Sequence, residues 1–259
     1  MNLRFEFGGV AHSVSSILEF TKAELPDFWR EPFFRFYPEI DRDSYNRLSN
    51  AERQEFLVSY FTAFAEKNQS LIADRIAAYQ AHWQRYRQQI TQALEDTFSI
   101  DLSPLFNDLV CRTSFNPISP RYLEQHAFDN FYLESEKGAL GTAMHEIIHF
   151  VWFHIWQQHF RDDPAEYETP YLKWILSEMV VEPVMRDERL GPINPYYLDK
   201  SCVYPYFYTM RLDGAPILDT LAAMLSAMPM AEFMEASYRY CLTHEAQIRK
   251  HIEASETGC

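Results

Sequence analysis

Gly141-Thr142-Ala143-Met144-His145-Glu146-Ile147-Ile148-His149-Phe150-Val151-Trp152-Phe153 is the stretch that decides how this chain is read. After Gly141 it holds no glycine or proline, so the spacing predicts a helix. On a helix, residues four apart lie one turn above each other on the same face. His145 and His149 can then turn both imidazoles toward one cation, and Glu146, one step around, faces the water on it. Neutral imidazole is a good zinc ligand, and a site with three protein ligands keeps a fourth position for water. The metal lowers that water's pKa toward neutrality, where a neighbouring carboxylate can take its proton. Ala143, Met144, Ile147, Ile148, Phe150 and Val151 are all uncharged. A solvated helix with two chance histidines has no reason to exclude charge from both flanks.

This His-Glu-x-x-His run in an uncharged setting resembles the zincin metallopeptidases. The third ligand separates their branches. Metzincins place a glycine and a third histidine shortly after the motif, where this chain has Trp152 and Ile155. His154 lies five residues past His149, well around the helix from the motif face, and His159 is no better placed. Gluzincins instead draw a glutamate from a second helix downstream, followed four residues later by another acidic residue.

Leu172-Lys173-Trp174-Ile175-Leu176-Ser177-Glu178-Met179-Val180-Val181-Glu182-Pro183 offers that second helix. Glu178 and Glu182 share one helical face among Trp174, Ile175, Leu176, Met179, Val180 and Val181. Two carboxylates in such company are costly to bury without a cation or a hydrogen-bond donor. On spacing alone either could be a ligand, and both could instead lie on a solvated stripe. The gluzincin resemblance implies Glu178 as third ligand and Glu182 as the outer partner that orients a metal-bound histidine. It also implies Zn2+ as the metal, Glu146 as general base, and a peptide or protein as substrate. The chain departs from that pattern in having glutamate rather than the more usual aspartate at 182. Pro183 follows at once and is expected to kink or end the helix. The resemblance covers residues 141–182 only.

Composition sets outer limits. The chain has 259 residues, enough for one large or two small domains, and is rich in aromatics with only 7 glycines, which favours helices packed around large side chains. A formal charge of -14 argues against nucleic-acid or anionic-membrane surfaces, which need basic stripes. Cys111, Cys202, Cys241 and Cys259 are far apart, without the close pairs of zinc fingers or redox motifs. Each reads as a small buried apolar residue, except the terminal Cys259, which reads as exposed. With no signal segment and no apolar run long enough to span a bilayer, the expectation is a reduced, cytoplasmic protein.

Along the chain, residues 3–7 alternate like a short strand. Residues 13–25 read as a helix capped by Ser13 and stopped by Pro26. Residues 28–38, with Pro32 and Pro38, read as a loop packed on the core. Ser49 caps a helical stretch over 51–97, broken near 67–69. Residues 99–133 read as two or three strands. The segments 109–115 and 128–133 are candidates for the small sheet that zincins place before the motif helix, where an edge strand can pair with extended peptide. Tyr206, Tyr208, Arg211 and His244 are all eligible to steady an oxyanion. Residues 215–254 read as two closing helices broken at Met228-Pro229.

The expected fold is therefore mostly helical α+β and zincin-like, one compact unit with a helical half (1–98) and a catalytic half (99–259). The expected activity is peptide hydrolysis at a site of His145, His149, Glu178 and Glu146. The alternative is a non-catalytic protein that uses the same helix pair as a structural zinc clamp or regulatory surface.

Overall fold

Alternating Leu3, Arg4, Phe5, Glu6 and Phe7 form the strand their period of two predicts, β1 (Leu3–Phe7). The computed structural model describes residues 1–161, 163–197 and 201–257, with backbone alone at 197 and 257. The chain is mostly helical with a small sheet. It divides into two compact units: residues 1–85 with 103–142, and residues 86–102 with 143 onward. The sheet thus belongs with the N-terminal helices in the first of these units. Cys259 lies outside the described residues.

In the first unit β1 is followed by α1 (Gly9–Phe20), α2 (Asp27–Phe36), α3 (Arg42–Arg47), α4 (Asn50–Lys67) and the start of α5 (Gln69–Phe98). α1 begins four residues before the expected start. Gly9 takes φ of +86°, which favours glycine, and turns the strand into the helix. Ser13 is no cap but is buried inside α1, its hydroxyl accepting from the Phe115 N–H at 3.2 Å. The expected loop at 28–38 is largely α2. Pro32 forfeits one intrahelical bond there, and burial of Phe33, Phe34 and Tyr37 against Tyr45, Leu57 and Phe61 offsets that loss. Ser49 does cap α4: its hydroxyl takes the Glu52 N–H, and Glu52 reaches back to the Ser49 N–H at 2.8 Å. The break between α4 and α5 falls at Asn68, where it was expected.

Three more strands follow, β2 (Leu109–Ser114), β3 (Arg121–Tyr122) and β4 (Ala127–Phe131), before α6 (Glu136–Phe160) begins. The sheet order is β1-β2-β4-β3, with β3 antiparallel to β4 and the other pairs parallel. The parallel β1–β2 pair needs a long crossover, and α1 to α5 supply it. Residues 109–115 and 128–133 therefore supply the two central strands, and neither offers an edge to a peptide. Of the true edges, β3 has two residues, and β1 is taken by Gln80 of α5, which accepts from the Phe5 N–H at 2.9 Å and donates to the Leu3 carbonyl at 3.1 Å. Edge-strand pairing by the expected segments is ruled out by that order. Asp129 is wholly buried on β4 and is held by His12 Nε2 at 2.8 Å.

The second unit holds the end of α5 and most of α6. It continues with α7 (Leu172–Met185), α8 (Pro205–Thr209), a minimal hairpin of β5 (Arg211–Leu212) and β6 (Ala215–Pro216), then α9 (Ile217–Ala227), α10 (Met230–Thr243) and α11 (Glu245–Thr257). Three helices close the chain, not two. The break at Met228-Pro229 is present, and a second comes at His244, whose N–H and ring turn back to carbonyls of α10. Pro183 does not end α7, which runs on to Met185. The middle of α6 is largely apolar and buried, as a helix sunk in a core should be. Ile147, Ile148 and Val151 are fully buried, and Trp152 meets Phe233 of α10 edge-on at 5.9 Å. α7 packs on α9 and α10. Among the described residues no helix is long and apolar enough to cross a membrane. Cys111, Cys202 and Cys241 are all buried.

Candidate metal centre

Two buried helices bring the motif residues together. α6 carries His145, Glu146 and His149, and α7 carries Glu178. His149 is wholly enclosed, Glu178 and Glu146 are buried, and His145 is partly open. The Nε2 atoms of the two histidines lie 3.1 Å apart. Glu178 offers Oε2 to His145 Nε2 at 3.5 Å and Oε1 to His149 Nε2 at 3.3 Å. Glu146 Oε1 stands 4.0 Å from His145 Nε2.

These spacings suit a metal ion. A tetrahedral ion with bonds of about 2.0–2.1 Å, the length zinc makes to nitrogen and oxygen, holds its ligand atoms about 3.3 Å apart. The two imidazole nitrogens stand 3.1 Å apart, close to that edge, and the Glu178 carboxylate reaches one nitrogen with each oxygen, at 3.3 and 3.5 Å. Among the described residues this is the group of His, Cys, Asp and Glu side chains whose ligand atoms converge, all within 4.8 Å of one another. Burial alone would raise the Glu178 carboxyl, but His149 and His145 beside it pull it well below the usual carboxylate range.

Each imidazole is fixed from behind. His145 Nδ1 lies 3.0 Å from the Cys202 carbonyl, which can only accept, so that nitrogen carries the proton and Nε2 keeps its lone pair in the neutral ring. His149 stacks on Phe153, one turn further along α6, and Phe153 stacks on Tyr167 with ring centroids 4.4 Å apart.

Glu182 lies on the same face of α7 as Glu178 and is buried, as expected, but its carboxylate does not meet a histidine. Oε1 accepts from Arg186 Nε and Oε2 accepts from Tyr208 at 2.5 Å. The helical spacing puts Arg186 one turn from Glu182, and a strong cation there outcompetes a neutral imidazole for the carboxylate. The direct partner of His145 is a main-chain carbonyl, for which a sequence carries no signal.

Of the residues eligible to steady an oxyanion, three are engaged elsewhere. Tyr208 is bound to Glu182 and to the Cys202 N–H. His244 pairs with Asp213 at 3.0 Å and with the Tyr240 carbonyl. Arg211 donates to the Gly214 carbonyl on an exposed hairpin. Tyr206 is buried and stacked on Tyr204, and burial, with the Glu256 and Glu178 carboxylates adding to it, raises its phenol well above the ordinary value. His154 is bound by Gln158 at 2.8 Å.

No protein-family model, no curated protein and no solved structure matches the chain.

Proposed function

We propose that this chain is a zinc-dependent peptidase of gluzincin type on a zincin-like scaffold, with His145, His149 and Glu178 as metal ligands. The observation that carries the reading is the convergence of two imidazoles and one carboxylate, one ligand atom of each within 4.8 Å of the others, with the Glu146 carboxylate alongside. When bound there, zinc supplies a Lewis acid and brings the pKa of its water toward neutrality. Glu146 accepts the proton of the attacking water and returns it to the leaving amine.

The structural-clamp alternative needs a fourth protein ligand, because closed zinc sites fill all four positions. Among the described residues no fourth His, Cys, Asp or Glu joins the three. His154 and His244, the two that could have closed the site, are bound to Gln158 and Asp213. An open position is what a hydrolase requires.

The test is cleavage of a quenched fluorescent peptide library by zinc-replete protein. Cleavage is expected, with loss on adding a chelator and recovery on restoring zinc. A zinc-replete, folded protein that cleaves no peptide in the library would leave the clamp as the reading.

A further inference from the structure

Cys202 lies outside helix and strand, so no ladder of backbone bonds holds its carbonyl where His145 needs it. A side chain does so instead. The Cys202 N–H donates to Tyr208 Oη at 2.9 Å, and the hydroxyl donates onward to Glu182 Oε2 at 2.5 Å. The order of donors is forced: an amide can only donate and a carboxylate can only accept, so the single hydroxyl proton must point at Glu182. Arg186 holds the other oxygen of the same carboxylate. At the far end the Cys202 carbonyl receives the Nδ1 proton of His145 at 3.0 Å.

We propose that Tyr208 and Glu182 are positioning residues which, through the Cys202 main chain, hold His145 in the Nδ1–H tautomer with Nε2 turned toward Glu178 and His149. This rests on the metal-centre reading above and extends it to residues that touch neither metal nor substrate. Tyr208 keeps its proton throughout the neutral range, because burial and the Glu182 carboxylate push the phenol up to about 12. The cost of losing such support is that His145 can rotate or exchange its proton between nitrogens. Molecules carrying the proton on Nε2 present no lone pair to the metal on that nitrogen. Partners at this remove from a metal typically change affinity by about 10–100-fold.

The experiment compares wild-type protein with Tyr208→Phe, which deletes the hydroxyl's bonds, those to Cys202 N–H and Glu182 among them, and keeps the ring. Zinc affinity is measured by competition with a chromophoric chelator, and thermal unfolding is followed on the zinc-free chains. The expected result is about 10–100-fold weaker zinc binding in the variant, with a zinc-free Tm only a few degrees lower. Unchanged affinity in a folded variant overturns the proposal and leaves the metal centre standing, whereas wild-type protein that takes up no zinc overturns both. Should Tyr208→Phe fail to fold, the 15N spectrum of wild-type zinc-free protein decides. A His145 ring protonated on Nδ1 supports the positioning chain, and one protonated on Nε2 overturns it.

Discussion

Glu146→Gln is expected to keep the metal and lose peptide hydrolysis by about 10²–10⁴-fold, the range a positioned general base contributes. The substitution preserves size and hydrogen-bonding shape while removing the carboxylate that stands 4.0 Å from His145 Nε2. Because Glu146 stands outside the converging group, zinc stoichiometry should be unchanged, and so should thermal stability in the zinc-loaded form. The measurement is the rate on a cleaved peptide together with metal content of the same sample. Full activity in this variant would sink the mechanism even if zinc were bound.

Glu178→Ala should do the opposite and strip the site of its metal. Structural zinc sites bind with about 10–16 kcal/mol shared among their ligands, so one of three is worth about 4 kcal/mol, or about 10³-fold in affinity. Glu182→Ala removes a carboxylate four residues away on the same helix face and should cost only about 10–100-fold, as outer partners do. The contrast matters because spacing alone could not choose between the two. The side chains differ in their partners: Glu178 lies 3.3 Å from His149, while Glu182 is held by Arg186 and Tyr208. Chelator competition on both variants measures the difference. Equal losses would mean that the assignment of ligand and outer partner is wrong.

Much of this centre was legible before any coordinates. A four-residue repeat on a helix fixes which side chains share a face, so His145 with His149 and Glu178 with Glu182 follow from spacing. Apolar neighbours told that both helices are buried. What spacing cannot carry is the identity of partners supplied by main chain or by distant segments. The Cys202 carbonyl behind His145 has no sequence signal, and Tyr208 looked no different from Tyr206 in a tyrosine-rich stretch. Arg186 is readable from spacing, since it sits one turn past Glu182.

The fold shows the same division. The capping residues Ser49 and Glu52 announced α4, and Asn68 its end, because both are local effects. α2 was hidden by Pro32, whose local penalty is outweighed by long-range burial of Phe33 and Phe34. Strand order is likewise non-local. Segments 109–115 and 128–133 have the composition of strands, but their place at the centre of the sheet depends on β1, which arrives from a hundred residues away.

The proposed activity depends on the metal. The measurement that tests it most directly is zinc per chain in the purified protein, by elemental analysis after dialysis without chelator. About one zinc per chain is the predicted result, with loss of that zinc in Glu178→Ala. No zinc, and none taken up on titration, would contradict the account and leave His145, His149 and Glu178 as a buried ion-pair cluster.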